Sequence, residues 1–209
     1  MANAATAERI LDTAENLFAR KGFSETSLRA ITSKADVNLA AVNYHFGSKE
    51  ALIQAVFERF LTPFCEALAQ HLDELEEQGG EITLERLLSV VSVLAMGSHG
   101  TRPERATLFF RLSGLAYTQA QEHLRSYLRE QYGGLFQRFL DLLGRAAPEV
   151  PPMEMFWRVH FALGATIFTL SGMGSLQAIC AREFGEELTA ADVNERLLAF
   201  TVGGLRGRD

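Results

Sequence analysis

Cysteine is nearly missing: Cys65 and Cys180 are the only two in 209 residues. They are isolated and form no CxxC pair, which rules out a disulfide framework or a zinc ribbon and fits a reducing compartment. Proline is also sparse, at five residues, so long helices can run with few breaks. Lysine occurs only as Lys21, Lys34 and Lys49. No apolar run is long and clean enough to span a bilayer. The best, Val159 to Met173, is interrupted by His160, Thr166, Thr169 and Ser171 and reads as a buried helix. No basic-then-apolar leader opens the chain. A cytoplasmic protein without a membrane partner is expected. The machinery of catalysis is missing too. There is no nucleophile elbow and no pair of carboxylates, and the glycines near 97–100 lack the Lys-Ser or Lys-Thr of a phosphate loop. His45, His71, His99, His123 and His160 show no metal-ligand spacing. No enzyme, metal or cofactor is expected.

What the chain does have is apolar residues, 47% of the total, including 15 phenylalanines. Its net charge of -6 is uneven: residues 1–60 balance, and the remainder carries the whole deficit. Overall acidity weighs against nucleic-acid binding, but one face of one domain is enough to meet phosphate. Period-two alternation is not sustained anywhere, so the fold class is all-α. The pattern predicts an N-terminal three-helix domain over 1–48 and a larger helical domain over 49–209.

Ile10, Ala14, Leu17 and Phe18 mark a first helix over 5–21, stopped at Gly22. Thr26 or Ser27 caps a second, carrying Leu28, Ile31 and Ala35. Asp36-Val37 turns the chain, Asn38 caps a third helix from Leu39 to about His45, and Gly47 ends it. Ser48 caps a fourth that runs through Pro63, with a kink, to about Glu77. Further helices are expected over about 83–96 and 104–117, then one carrying Leu124 to Leu143 with a bend at Gly133-Gly134, one long apolar helix over 153–182, and one over 190–202. A loop is expected from Gly97 to Pro103, and a charged tail at the end.

The second and third helices, joined by a tight turn, have the form of a helix-turn-helix. One helix braces on the backbone while the next lies in the major groove. The outer face of the third would offer Leu39, Ala40, Asn43 and Tyr44. Asparagine pairs with adenine, and a small apolar side chain meets a thymine methyl. Thr26, Ser27, Tyr44, His45 and Lys49 have the donors and reach for phosphate. A helical hairpin with a polar tip also occurs in proteins that touch no DNA.

The string Gly22-Phe23, Thr26-Ser27, Ile31, Ala35, Val37, Tyr44-His45-Phe46 and Ser48-Lys49-Glu50-Ala51-Leu52 resembles the N-terminal domain of the TetR family of bacterial regulators. The resemblance implies a homodimer, a palindromic double-stranded operator, and release of that operator by an inducer bound in the C-terminal domain. It implies phosphate contacts from Thr26 and Lys49, and base reading by Leu39 to His45. The family usually has an aromatic where Asn43 stands, which makes Asn43 a candidate for base readout. The stretches 27–35 and 37–46, with Phe156-Trp157-Arg158-Val159-His160-Phe161, also resemble the fatty-acid-responsive members of pseudomonads. That resemblance implies a repressor released by a small hydrophobic ligand, a long-chain fatty acid or its CoA thioester.

In the second domain the phenylalanine surplus reads either as ordinary core or as a tunnel lining. The candidate ligand residues are Phe109, Arg111, Phe136, Trp157, His160 and Phe161. Arg111, inside an apolar run, either snorkels to water or pairs with a ligand carboxylate. The last two long helices are the candidate dimer surface, with Gly164 and Gly172 for close approach and Phe168 and Leu197 for apolar area. Two other readings fit the same pattern. One is an activator or ligand-independent regulator of envelope or biofilm genes. The other is a helical lipid carrier or interaction module that binds no DNA.

Overall fold

Ten helices follow one another in a computed structural model that describes residues 2–97, 103–119 and 121–206. They are α1 (Ala2–Lys21), α2 (Leu28–Ala35), α3 (Leu39–Phe46), α4 (Lys49–Glu77), α5 (Leu84–Gly97), α6 (Pro103–Thr118), α7 (Glu122–Ala146), α8 (Pro152–Ser171), α9 (Met173–Phe184) and α10 (Ala190–Arg206). No strand occurs among the described residues. The expected all-α class, with a small helical head before a larger helical body, is what the chain adopts. Most of the expected Gly97–Pro103 loop, His99 included, lies outside the described residues, as does the final 207–209.

Local chemistry sets the helix starts. Ser27, Asn38 and Ser48 each accept a hydrogen bond from the amide three residues on, at Ala30, Ala41 and Ala51, over 2.8–3.1 Å. Such caps stabilise a helix start by about 1 kcal/mol. Gly22 closes α1 at φ +83, a conformation that L side chains avoid. Asp36 takes the same left-handed region, at φ 51, between α2 and α3.

One expectation about helix continuity needs correction. The single helix expected over 153–182 is two: α8 ends at Gly172, and α9 leaves it at 74°. Ser175 and Leu176 donate to the Gly172 carbonyl and restart the helix there. α7 keeps helical bonding through Gly133-Gly134. α4 likewise passes through Pro63, whose ring is exposed.

α4 joins head to body. Over 29 residues it spans about 43 Å. Its first half (Leu52, Ile53, Val56, Phe57, Phe60, Leu61) packs with α1–α3. Its second half (Leu68, Leu72, Leu75) packs with α5, α7 and α10. The head core is completed by Leu112 of α6 and Leu124 of α7, both fully buried. A third cluster joins Phe110, Leu170, Met173 and Leu197 deeper in the body. No single described helix is long and apolar enough to cross a membrane.

Candidate nucleic-acid interface

α3 has one buried face and one free face. Val42 is fully buried and pins the helix to the head core. Leu39, Ala40, Asn43 and Tyr44 stand on the opposite side, all exposed, with Tyr44 75% accessible. These positions are one, four and five residues apart, which places them on one surface of the helix. The four residues expected to read bases therefore share one outward face. His45 is half-buried, with its ring edge-on to Tyr44 at 5.2 Å and tilted against Phe46 at 6.0 Å.

Of the expected phosphate partners, Ser27 is exposed at the start of α2, and Lys49 is half-buried at the start of α4. The Lys49 ammonium rests 3.5 Å from the Ser24 carbonyl, so it can turn to an anion at little loss. Next to it, Glu50 carries a carboxylate held below its usual range by a hydrogen bond to its own backbone amide and by Ser48. Thr26 is the exception. Its side chain is fully buried, and its hydroxyl donates to the Gly22 carbonyl at 2.7 Å and lies 3.3 Å from that of Leu17. It stitches the α1–α2 corner from inside, with its hydroxyl engaged within the head. Two basic side chains passed over in the sequence, Arg29 and Lys34, are exposed on α2. Their signal was simply cationic residues on a capped helix beside the reading helix.

The six candidate ligand residues do not converge. Phe109 is half-buried among rings, 5.3 Å from Phe60, 5.4 Å from Phe110 and 6.2 Å from Phe57. Arg111 is exposed, and its guanidinium reaches only the Ser171 carbonyl at 3.4 Å. It extends toward solvent and makes no ion pair among the described residues. Phe136 lies at the surface of α7. Trp157, His160 and Phe161 stand outward on α8, where His160 bonds the Phe156 carbonyl at 2.7 Å. A helix has two faces, and the apolar stripe taken for a pocket lining is the one turned away from this chain's interior.

The same stripe carries two of the candidate dimer residues. Gly164 and Phe168 are exposed on α8, in line with Trp157 and Phe161. Phe200, Gly203 and Gly204 are exposed on neighbouring α10. Leu197 is not part of that surface, because it is buried against Phe110, Leu170 and Met173. Gly172 sits at the α8–α9 break. No group of three His, Cys, Asp or Glu is placed to hold a metal among the described residues.

A cleft of about 430 Å³ opens at the seam of α1, α4 and α6. It is lined by Asp12, Glu15, Arg20, Arg59, Arg105 and Arg111 among others. Its carboxylate Glu15 is buried at 2% exposure and held by Arg59 and Arg105. Sequence reasoning missed this cluster. Glu15 falls on the apolar stripe of α1 with Leu11 and Phe18, a visible anomaly, but Arg105 is 90 residues away.

Comparison with known proteins locates these features. Residues 10–56 match the family model "Bacterial regulatory proteins, tetR family", and residues 93–204 match "Tetracyclin repressor-like, C-terminal domain". The chain is 30% identical over 137 residues to the probable HTH-type transcriptional regulator YttP of Bacillus subtilis, covering 65% of this chain and 63% of that protein. It is 28% identical over 120 residues to the HTH-type regulator UidR of Escherichia coli K12, covering 54% of this chain and 61% of that one. Matching segments thus span under two thirds of the length of these curated relatives. Among solved structures, a TetR-like regulator from Rhodococcus sp. RHA1 superposes with TM-score 0.62 at 22% identity over 98% of both chains. The fatty acid degradation regulator FadR of Bacillus halodurans superposes with TM-score 0.62 at 15% identity over 97% of both.

Proposed function

The chain belongs to the TetR family of bacterial regulators, and from that premise we propose that it is a homodimeric, ligand-released transcriptional repressor. The observation that carries this reading is the capped pair α2–α3, with Leu39, Ala40, Asn43 and Tyr44 on one free face. Asn43 is the base reader of this set. Ser27 and Lys49 flank it at the starts of α2 and α4 and hold phosphate.

A single short helix touches too few bases to specify a site, so two heads are needed, spaced by roughly 34–36 Å. The outward rings Phe156, Trp157, Phe161 and Phe168 of α8 and Phe200 of α10 are where a second copy is seated. Gly164 and Gly203 allow the helices to approach. Solitary exposed rings are ordinary, but a contiguous stripe of them marks an interface.

The effector is a small hydrophobic ligand, in the narrower reading a long-chain fatty acid or its CoA thioester. Support comes from the ring cluster Phe57, Phe60, Phe109 and Phe110 where α4 meets α6, and from the shared fold of the Bacillus halodurans protein, a regulator of fatty acid degradation. A chain entering between α4 and α6 would move α4, whose first turn carries Lys49. A tenfold loss of operator affinity needs only about 1.4 kcal/mol of preference for the moved state. The test is release of a fluorescent operator duplex by acyl chains of graded length. Release should strengthen with length, since each buried CH₂ adds about 0.8 kcal/mol. If no acyl chain acts while a planar aromatic compound does, the repressor reading stands and the acyl assignment falls.

A further inference from the structure

Besides the packing of Leu112 into the head core, two polar contacts fasten the head to α6 independently of the covalent connection through α4. At the start of α6, Arg105 Nη2 lies 3.4 Å from Glu15 Oε1 of α1, and its guanidinium sits 5.2 Å from the Phe60 ring centre of α4. Arg59 of α4 donates to the same Glu15 oxygen at 2.9 Å, and also pairs with Glu8 and Asp12. Just past the end of α6, Gln119 Oε1 accepts the Phe23 amide hydrogen at 2.9 Å. The same side chain lies over Gly22 so closely that a Cβ there would come within 2.5 Å of Gln119 Nε2. The opposite flank of α6 packs on α8, where a Cβ on Gly114 would lie 3.2 Å from Ile167. One helix therefore touches both the reading head and the helix assigned to pairing.

We propose that Arg105 and Gln119 are positioning residues that fix the angle of the reading head on the body, and with it the separation of the two recognition helices. This inference rests on the dimeric, DNA-binding reading above.

Geometry is the first reason. The two fastenings are 14 positions apart along one chain segment, roughly 21 Å at the helical rise. Two points that far apart fix an orientation, where one would leave a pivot. Energetics is the second. Burial raises the Glu15 carboxyl above its ordinary range even against Arg59 and Arg105, so the pairing does not make the buried charge favourable. A buried ion pair of that kind adds little stability, and what it supplies is a defined arrangement. Third, the Phe23 amide sits in a buried residue and needs an acceptor. A side chain from the body supplies it, where a local carbonyl would have kept the head self-contained.

The experiment uses the full chain and an operator recovered by the wild-type protein from a random duplex pool. Its half-sites are then re-spaced by one base pair in either direction, and single half-sites serve as controls. Wild type should discriminate the spacings by about tenfold or more, because the recognition helices are held at a set distance. Arg105→Met keeps the stem over Phe60 and leaves Glu15 with Arg59. Gln119→Leu removes the acceptor and keeps the bulk. The double variant should bind all spacings within about threefold of one another, with half-site affinity unchanged. Gln119→Glu, which retains an oxygen acceptor, should discriminate spacings as wild type does. If the double variant loses affinity equally on every spacing and on half-sites, the two residues are merely structural and the inference is overturned. Should the double variant not fold, Gln119→Leu against Gln119→Glu decides by the same readout. A wild-type protein that recovers no duplex at all refutes the DNA-binding reading itself, a distinct result.

Discussion

Glu15 is the one buried carboxylate among the described residues, and its titration has a definite sign. Desolvation raises its pKa in the folded chain, with Arg59 and Arg105 pulling the other way. An acid raised on folding favours the native state while protonated, and that contribution is lost as pH climbs through the folded-state pKa. Glu15→Gln is the permanently neutral counterpart. The stability difference between the variant and wild type should therefore move in the variant's favour as pH rises from about 4 to about 7. Urea melts of both proteins across that range read it directly. A shift in favour of wild type would mean that the arginines outweigh burial. Glu15 also marks how far sequence reading reached at this scale. Its place on an apolar stripe was legible, while its partner 90 residues on was not. Thr26 shows the reverse: all its partners are near in sequence, yet a hydroxyl beside a cap reads as a surface donor until its burial is seen.

At the scale of the helix, the work on DNA is proposed to divide between α3 and the start of α4. Asn43 stands on the free face of α3, so Asn43→Ala should relax preference at one operator position and cost about 1–3 kcal/mol against the correct base. Lys49 begins α4 beside the cap Ser48, so Lys49→Ala should weaken binding to all sequences alike and lower the salt slope by about one. Isotherms on single-base operator variants at several salt concentrations separate the two. An Asn43→Ala protein with unchanged preferences would refute base reading by α3. These short elements were legible because their signals are local: caps at Ser27, Asn38 and Ser48, and stops at Asp36 and Gly47. The body was less so. Period alone shows that α8 has an apolar face, but not whether that face looks inward or out; Trp157, His160 and Phe161 stand on the outward side. A glycine in an apolar run reads as close packing, and Gly172 instead ends one helix and begins another.

At the scale of the whole molecule, the outward face of α8 and α10 is the proposed pairing surface. Phe161 and Phe200 are 68% and 66% exposed in the single chain. Replacing both with glutamate would place charges in the seam between copies without touching a buried core position. Wild type should sediment as a dimer at micromolar concentration. The double variant should sediment as a monomer, with an unchanged helical spectrum and operator affinity on the order of a thousandfold weaker, near the non-specific level. A wild-type monomer would refute this face as the pairing surface. The long α4 carries a separate consequence. Its first half shares a core with α1–α3, and that core is closed by Leu112 and Leu124 from the body. Cut away at residue 48, the head would expose the inner sides of Phe18, Ile31 and Val42 to water. It is thus not a detachable cassette that recombination could trade between regulators. On the proposed reading, new target sequences are reached by point changes on the outer surface of α3, where Leu39, Ala40 and Asn43 stand clear of the head core.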